Sequence, residues 1–151
     1  MKKVSAIALS TAMALSMALP SKVNATSRVD QLLSNMSTRQ KITQMLMVDF
    51  RYWDEDLSDG AQTTGHEFTK MNDQVRKIVE DYDFGALIYF AQNIQETEQS
   101  YNLSMAMQKA ATKDGGIPLL ISADQEGGSV YRLGSGTALP GNMALGATHN
   151  T

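Results

Sequence analysis

Three short apolar runs alternate with segments of helical periodicity, and this order constrains the fold more than any other feature. The runs are residues 45–50 (MLMVDF), 85–90 (GALIYF) and 118–123 (PLLISA). Residues 68–82 and 96–113 between them carry apolar side chains at helical spacing. Strands that are apolar throughout, rather than alternating, are typical of parallel sheets buried on both faces. We therefore expect an α/β fold with a parallel sheet and right-handed crossovers, either an open doubly wound sheet or part of a (β/α)8 barrel.

The helical segments have recognisable ends and expected inner faces. Ser37 and Gln40 fit a capping box at the start of a first helix, and Gly115-Gly116 suits a left-handed cap at the end of the last. Little regular structure is expected in residues 51–65 or after Asp124. The residues expected to face inwards include Ile42, Met45, Val75, Val79, Tyr101, Met105 and Ala106.

Residues 1–25 have the pattern of a secretory signal peptide. Lys2 and Lys3 precede an apolar run over residues 4–19, and the segment closes on Val-Asn-Ala, which predicts cleavage after Ala25. The apolar run is short for a bilayer span. We expect a secreted or cell-envelope protein without a stable membrane anchor after cleavage, and we leave this segment out of the fold.

The composition limits which partners and cofactors we expect this chain to bind. The net charge is −3 and no cysteine is present, so the mature chain depends on its core without disulfides. No stripe of lysine and arginine could neutralise a phosphate backbone, which argues against a nucleic-acid partner. No cluster of His, Cys and carboxylate residues has zinc spacing, and we expect no metal or cofactor.

The most informative stretch is ADQEGGSVYRLGSG, residues 123–136, which follows the third apolar run. Asp124 and Glu126 on an extended segment would lie about 7 Å apart, but two neighbours on one strand end cannot flank a glycosidic bond. No phosphate-binding glycine motif is present. A sugar clamp fits better, because a carboxylate accepts hydroxyl hydrogen bonds and the Arg132 guanidinium donates them. In this interpretation Gly127 and Gly128 let the backbone turn sharply and leave room for a sugar ring. The spacing leaves equally open an Asp124–Arg132 ion pair that only pins the loop.

Residues 121–148, ISADQEGGSVYRLGSGTALPGNMALGAT, resemble the N-terminal barrel domain of glycoside hydrolase family three, in its β-N-acetylhexosaminidase branch. The segments MSTRQKITQMLMVDFR and DYDFGALIYFAQNIQETEQ resemble the same branch, in the expected order. The resemblance implies that residues 26–151 form the first part of a (β/α)8 TIM-type barrel, incomplete in this chain. It further implies a parent enzyme that hydrolyses terminal β-linked N-acetylglucosamine from cell-wall or related glycans by a retaining mechanism.

The resemblance also assigns roles to individual residues. It implies that Asp124 and Arg132 bind the sugar beside the scissile bond, and that Arg51 and Asp49 approach the same pocket. It makes Glu126 a brace of the loop rather than a catalyst.

The family's catalytic residues are not expected within this chain. The resemblance places the Asp nucleophile and the acid/base His, in a KH-F-PGHG motif, beyond Thr151, so no catalytic residue is assigned here and the chain alone is expected to be inactive. Many members have Arg directly after DQEGG, where this chain has Ser129. The alternatives are a β-glucosidase or other family 3 exo-glycosidase, or a non-catalytic fragment.

Overall fold

The computed structural model describes residues 25–54 and 65–148, and the chain divides into two units, Met1–Asn35 and Met36–Thr151. The first unit contains helix α1 (Ala25–Asn35), on which Val29, Leu32 and Leu33 are exposed. Residues 1–24 lie outside the description, so the signal peptide and its cleavage stay predictions. Within the two described ranges, no helix combines the length and the apolar character needed to cross a bilayer.

The described residues of the second unit, 36–54 and 65–148, contain four helices and five strands. The helices are α2 (Thr38–Thr43), α3 (Asp73–Tyr82), α4 (Thr97–Ala111) and α5 (Asn142–Ala147). The strands are β1 (Met47–Val48), β2 (Tyr52–Trp53), β3 (His66–Glu67), β4 (Ala86–Tyr89) and β5 (Leu120–Ala123). Short 3-10 turns lie at Ala91–Asn93 and Lys113–Gly115.

Strands β1, β4 and β5 form a parallel sheet in the order β1-β4-β5. Each predicted apolar run contributes one of these strands, so the α/β class and the parallel pairing are confirmed. Leu87 and Tyr89 of the central strand lie in a core that also contains Val79 of α3 and Met107 of α4. The alternate positions of the outer strands, including Val48, pack against this core.

The prediction that all three strands are buried on both faces is wrong. It holds for most of β4, but Leu120 of β5 is 65% exposed and Met47 of β1 is 49% exposed. Met47 and Leu120 flank Ala86 in the register, so they share the sheet face opposite the core. Both belong to outer strands, and within the described residues the helices contribute to the core on the other face only.

Helix α3 begins at Asp73, directly after the capping residue Asn72. The Asn72 side chain accepts the backbone N–H of Val75 at 2.8 Å, which caps the first turn. Val75 and Val79 are fully buried, as predicted. Phe68 is buried too, but it lies before the helix rather than within it.

Helices α2 and α4 expose side chains that were expected to face inwards. The capping box at Ser37 and Gln40 is confirmed by both reciprocal hydrogen bonds. Helix α2 ends at Thr43, which is its buried residue, whereas Ile42 within the helix and Met45 after it are exposed. In α4 the buried stripe is Leu103, Met107, Ala110 and Ala111. Tyr101 and Met105 are exposed because they lie two positions earlier, about 200° around the helix.

Two regions expected to be irregular contain regular structure. Tyr52–Trp53 pairs antiparallel with His66–Glu67, although both belong to or border the predicted polar loop; residues 55–64 between them are not described. A short helix, α5, follows the Leu139-Pro140-Gly141 turn. The Gln108 carboxamide donates to Leu119 O (2.7 Å) and accepts from Leu119 N (3.0 Å), which fixes the chain just before β5.

Candidate functional site

The carboxyl ends of the three parallel strands meet at one edge of the sheet. Tyr89 and Ala123 are the last paired residues of β4 and β5, so Phe90 and Asp124 follow side by side. Arg51 lies beyond the end of β1 on the same edge. In open α/β sheets and barrels this edge is where ligands bind, and the structure therefore brings the segments carrying Arg51 and Asp124 to one end of the sheet.

The loop after β5 folds back on itself through the side chain of Gln125. Its Oε1 accepts the backbone N–H groups of Arg132 at 2.8 Å and of Leu133 at 3.1 Å. This contact returns Arg132 to the residue next to Asp124, as the spacing predicted. Sequence reasoning assigned no role to Gln125, because an amide that binds backbone groups seven and eight residues away leaves no periodic pattern.

Asp124 and Arg132 do not pair with each other. Both residues are partly buried, and the ion pairs found among residues 25–54 and 65–148 do not include either of them. The Arg132 Nε is buried and has no hydrogen-bond partner within the described chain. An Asp124–Arg132 pair that merely pins the loop is thus not what the structure contains. A buried guanidinium nitrogen without an acceptor is costly, and a ligand oxygen would satisfy it.

Gly127 and Gly128 make a tight turn, with φ of +77° and +59°. The turn is closed by the Glu126 N–H to Val130 O bond of 2.9 Å. A Cβ on Gly127 would lie 2.7 Å from Leu139 O. The sharp turn is confirmed, but the space beside Gly127 is filled by the backbone of the 139–141 turn, so the expectation that this glycine leaves room for a sugar ring is wrong. Gly128 is exposed, and a Cβ there would lie 3.6 Å from Gly141 N, an ordinary contact.

Glu126 contributes to this turn through its backbone. Its side chain is exposed, and none of the hydrogen bonds or ion pairs of the described residues involves its carboxylate. The hydrogen bond that closes the turn is therefore made by the Glu126 peptide N–H, and replacing the carboxylate leaves this bond intact.

Arg51 is held from two sides. Its Nε donates to Asp49 Oδ2 at 3.0 Å, and its guanidinium carbon lies 3.4 Å from the centre of the Phe90 ring. The Arg51 side chain remains 43% exposed. A cation stacked on an aromatic face and paired with a carboxylate has a fixed direction, so Arg51 can still donate its remaining N–H groups to a ligand.

Asn93 is a buried polar residue that sequence reasoning missed. It is 1% exposed, and its Nδ2 donates to Phe50 O (2.8 Å) and Phe68 O (2.9 Å), while its Oδ1 accepts from Phe90 N (2.9 Å). These bonds join the ends of β1 and β4 with the segment after β3. The sequence offers no signal for this, because the three partners are backbone groups far apart along the chain.

The aromatic pair after Arg51 has a structural role. Trp53 is 8% exposed, packs edge-on against Phe50 with ring centres 5.8 Å apart, and donates to Gln74 Oε1. It therefore cannot stack on a sugar, and the Tyr52 hydroxyl accepts from Gln92. His66 lies exposed on β3. The second histidine, His149, lies outside the described residues.

Several cavities border this end of the fold. One of about 310 Å³ lies between α4 and β5, lined by residues that include Tyr89, Ser104, Ala123 and Leu133. A larger one of about 620 Å³ lies along residues 53–54 and 66–73. Neither is lined by Asp124 or Arg132. We place the candidate site at the strand ends because the unpaired charged groups are there, whereas many polar groups of the larger cavity already bond within the protein.

Burial raises the pKa of the Tyr89 hydroxyl above its usual value, and the contact with Ser104 opposes that shift. The ring thus stays neutral below the site across the physiological range. In the described part of the chain, no group of three or more His, Cys, Asp or Glu side chains lies close enough together to hold a metal ion.

Taken as a class, the described chain is an α/β protein whose parallel strands end at one edge, where the Asp124 carboxylate and the Arg132 Nε have no ion-pair partner among the described residues. The family model of the glycosyl hydrolase family 3 N-terminal domain matches residues 37–151. The chain belongs to this family, which confirms the resemblance seen in the sequence.

Named relatives agree with this assignment. The chain is 36% identical over 117 residues to beta-hexosaminidase A of Pseudoalteromonas piscicida, covering 76% of this chain and 20% of that protein. It is 38% identical over 63 residues to a beta-hexosaminidase of Photobacterium profundum, covering 42% of this chain and 18% of that protein. The structure of a family 3 beta-N-acetylglucosaminidase from Paenibacillus sp. str. FPU-7 superposes with a TM-score of 0.61 at 35% identity, covering 76% of this chain and 19% of that one. The chain thus spans about a fifth of the length of these relatives.

Proposed function

We propose that this chain is part of an exported exo-glycosidase that releases terminal β-linked N-acetylglucosamine from cell-wall or related glycans. In this proposal the chain supplies one wall of the sugar-binding subsite. The substrate class follows from relatives named as beta-hexosaminidases and a beta-N-acetylglucosaminidase. The export follows from the signal-peptide pattern at residues 1–25.

The fold in this proposal is the first part of a (β/α)8 barrel. Support comes from the parallel order β1-β4-β5, in which the helices alternate with the strands along the chain. Support also comes from the superposition on a family 3 enzyme over most of the chain. The carboxyl ends of the strands would then form part of the catalytic face of the barrel.

Three side chains would hold the sugar. The Asp124 carboxylate would accept hydrogen bonds from two neighbouring hydroxyls, and the Arg132 guanidinium would donate to the same sugar. Arg51 would donate from the β1 side of the same sheet end, with its direction set by Asp49 and Phe90. A neutral sugar with many hydroxyls suits this set, because it offers both donors and acceptors to charged partners.

The observation that carries the proposal is the unpaired state of Arg132. Its buried Nε has no acceptor in the described residues, although Asp124 belongs to the same folded-back loop. Proteins rarely leave such a group unsatisfied without a function. In a chain of this family, a sugar hydroxyl or acetamide oxygen is the acceptor that would complete it.

The bond-breaking step would belong to residues outside this set. In a retaining mechanism a carboxylate attacks the anomeric carbon to form a covalent glycosyl-enzyme, an acid protonates the leaving oxygen, and water then releases the sugar. The KH-F-PGHG motif does not occur in the 151 residues. We therefore expect the purified chain to hydrolyse a chromogenic N-acetylglucosaminide no faster than the buffer blank.

The proposal is tested by ligand-observed NMR with N-acetylglucosamine and glucose. We expect weak binding, with a Kd in the millimolar range, and a preference for N-acetylglucosamine. Asp124→Asn should weaken binding by roughly tenfold, about 1.4 kcal/mol, because it removes the charge from two hydrogen bonds. Glu126→Gln is the matched control, since that exposed carboxylate takes part in no hydrogen bond or ion pair of the described residues, and it should bind like the wild type.

Equal binding by wild type and Asp124→Asn would contradict the assignment. A clear preference for glucose would instead favour the alternative, a β-glucosidase or another family 3 exo-glycosidase. A non-catalytic fragment is the other alternative; non-cooperative unfolding together with no sugar binding would favour it.

A further inference from the structure

The Asn93 side chain joins three backbone segments at the candidate site. Its carboxamide uses both donor hydrogens and its oxygen, on Phe50 O, Phe68 O and Phe90 N. The residue is 1% exposed, so water cannot replace these bonds. Few side chains can do this, because the site needs two donors and one acceptor from a single planar group.

Two of the three partners adjoin the contact between Arg51 and Phe90. Phe50 O belongs to the peptide bond that leads into Arg51, and Phe90 N belongs to the residue whose ring lies under the guanidinium, 3.4 Å from its carbon. Asn93 therefore holds the backbone on both sides of that stacked contact. No other side chain with a described hydrogen bond joins these two backbone positions.

Asp49 gives Arg51 a second fixed point, but a weaker one. The Asp49 side chain is 33% exposed and the ion pair is partly open to solvent, so its contribution is reduced by screening. The buried Asn93 bonds are not screened in this way. Asn93 also joins the ends of β1 and β4, which the Asp49–Arg51 pair, formed within one segment, does not.

We propose that Asn93 is a positioning residue that sets Arg51 over Phe90 and thereby fixes one side of the sugar subsite opposite Asp124. This inference rests on the proposed function for its sugar-binding part. Its structural part, that Asn93 determines the place of Arg51, stands on the geometry alone.

A purely stabilising role predicts a different outcome, and the chain offers a matched control. Gln108 is a second side-chain amide that bonds both the N–H and the C=O of one residue, Leu119. It lies before β5, at the opposite end of the sheet from Arg51. Loss of the Gln108 amide should destabilise the fold without moving Arg51.

The experiment is heteronuclear NMR on the full 151-residue chain and on Asn93→Ala, Asn93→Asp and Gln108→Ala. The Phe90 ring should shield the Arg51 Nε–H proton, so this signal reports the stacked contact. We expect the signal to lose its upfield shift in both Asn93 variants and to keep it in Gln108→Ala. Asn93→Asp keeps the side-chain size and the bond to Phe90 N, and so separates loss of the donors from creation of a cavity.

Titration with N-acetylglucosamine completes the test. We expect both Asn93 variants to bind roughly fivefold more weakly than the wild type, and Gln108→Ala to bind equally well. An unchanged Arg51 signal in the Asn93 variants, or an equal change in Gln108→Ala, would overturn the proposal. So would failure of both Asn93 variants to fold while Gln108→Ala folds, since Asn93 would then be a structural residue only.

The two proposals fail in distinguishable ways. If the wild type binds no sugar but the Arg51 signal moves in the Asn93 variants, the proposed function is wrong and the positioning of Arg51 holds. If the wild type binds sugar and the Asn93 variants bind it equally well despite a displaced Arg51, the proposed function survives and the role of Asn93 in the subsite is overturned.

Discussion

Gly85 lies where the segment after α2 passes closest to the start of β4, and Gly85→Ala should destabilise the fold strongly. A Cβ at this position would lie 1.9 Å from Gln44 O and 2.7 Å from Gln44 C. These are backbone atoms, so no side-chain rotation relieves the contact. To reach about 3.0 Å, the shortest separation that real Cβ atoms show, the two segments must move apart by about 1.1 Å.

The cost follows from the hydrogen bonds that cross this contact. Gly85 N donates to Thr43 O at 3.3 Å and Ala86 N donates to Leu46 O at 3.1 Å, and both would exceed bonding distance after such a shift. At about 1 kcal/mol each, with further loss from the Gln44 amide, the penalty is about 3 kcal/mol. That is a large part of the ~5–15 kcal/mol by which domains are stable.

Urea denaturation followed by the fluorescence of Trp53 measures this cost. The chain has one tryptophan and it is buried. With a slope of about 1.5–2 kcal/mol per molar urea, the midpoint should fall by about 1.5–2 M. Gly134→Ala is the control, because nothing lies within 4 Å of its added Cβ; it should stay within about 0.5 kcal/mol of wild type. A Gly85→Ala midpoint equal to that of Gly134→Ala would refute the close approach.

Three further predictions concern the core, the loop and pH. Met107→Ala should cost about 2–5 kcal/mol in the same denaturation assay, because Met107 is fully buried; a cost below about 1 kcal/mol would contradict the core assignment. Gly127→Ala should abolish N-acetylglucosamine binding measured by NMR, because φ of +77° and Leu139 O at 2.7 Å exclude a Cβ; wild-type affinity would contradict it. The raised pKa of Tyr89 means that the unfolded tyrosine ionises first, so stability is full below about pH 10 and falls as pH rises through the folded pKa. Tyr89→Phe should reduce that fall in urea midpoints measured between about pH 9 and 11, and an unchanged pH slope would count against burial of the hydroxyl.

Local sequence patterns predicted the elements whose causes are local. The apolar runs correspond to the strands of the parallel sheet, and Val75 and Val79 mark the buried face of α3. The capping box at Ser37 was also predictable, because its two bonds join residues three positions apart.

Contacts between distant segments were not predictable in this way. Tyr101 and Met105 are apolar but exposed, because the packing partners of α4 select Leu103 and Met107 instead. The face of the sheet that bears Leu120 was expected to be covered, and hydrophobicity alone does not say which side a helix will cover.

The residues of the candidate site also differ in whether the sequence could predict them. Asp124 and Arg132 were predicted as site residues from their residue types, their spacing and the family resemblance. The residues that shape the loop and the strand ends, Gln125 and Asn93, were not found, because an amide bonds any backbone group within reach and leaves no motif.

Chemical-shift mapping of the 151-residue chain during titration with N-acetylglucosamine tests where the sugar subsite lies. We predict that the perturbed amides cluster at the carboxyl ends of the strands, around Arg51, Phe90, Asp124 and Arg132, while those around Gln108 and Leu119 stay unchanged. Perturbations confined to the cavity along residues 53–54 and 66–73, or no perturbation at saturating sugar, would contradict the placement of the subsite at the strand ends.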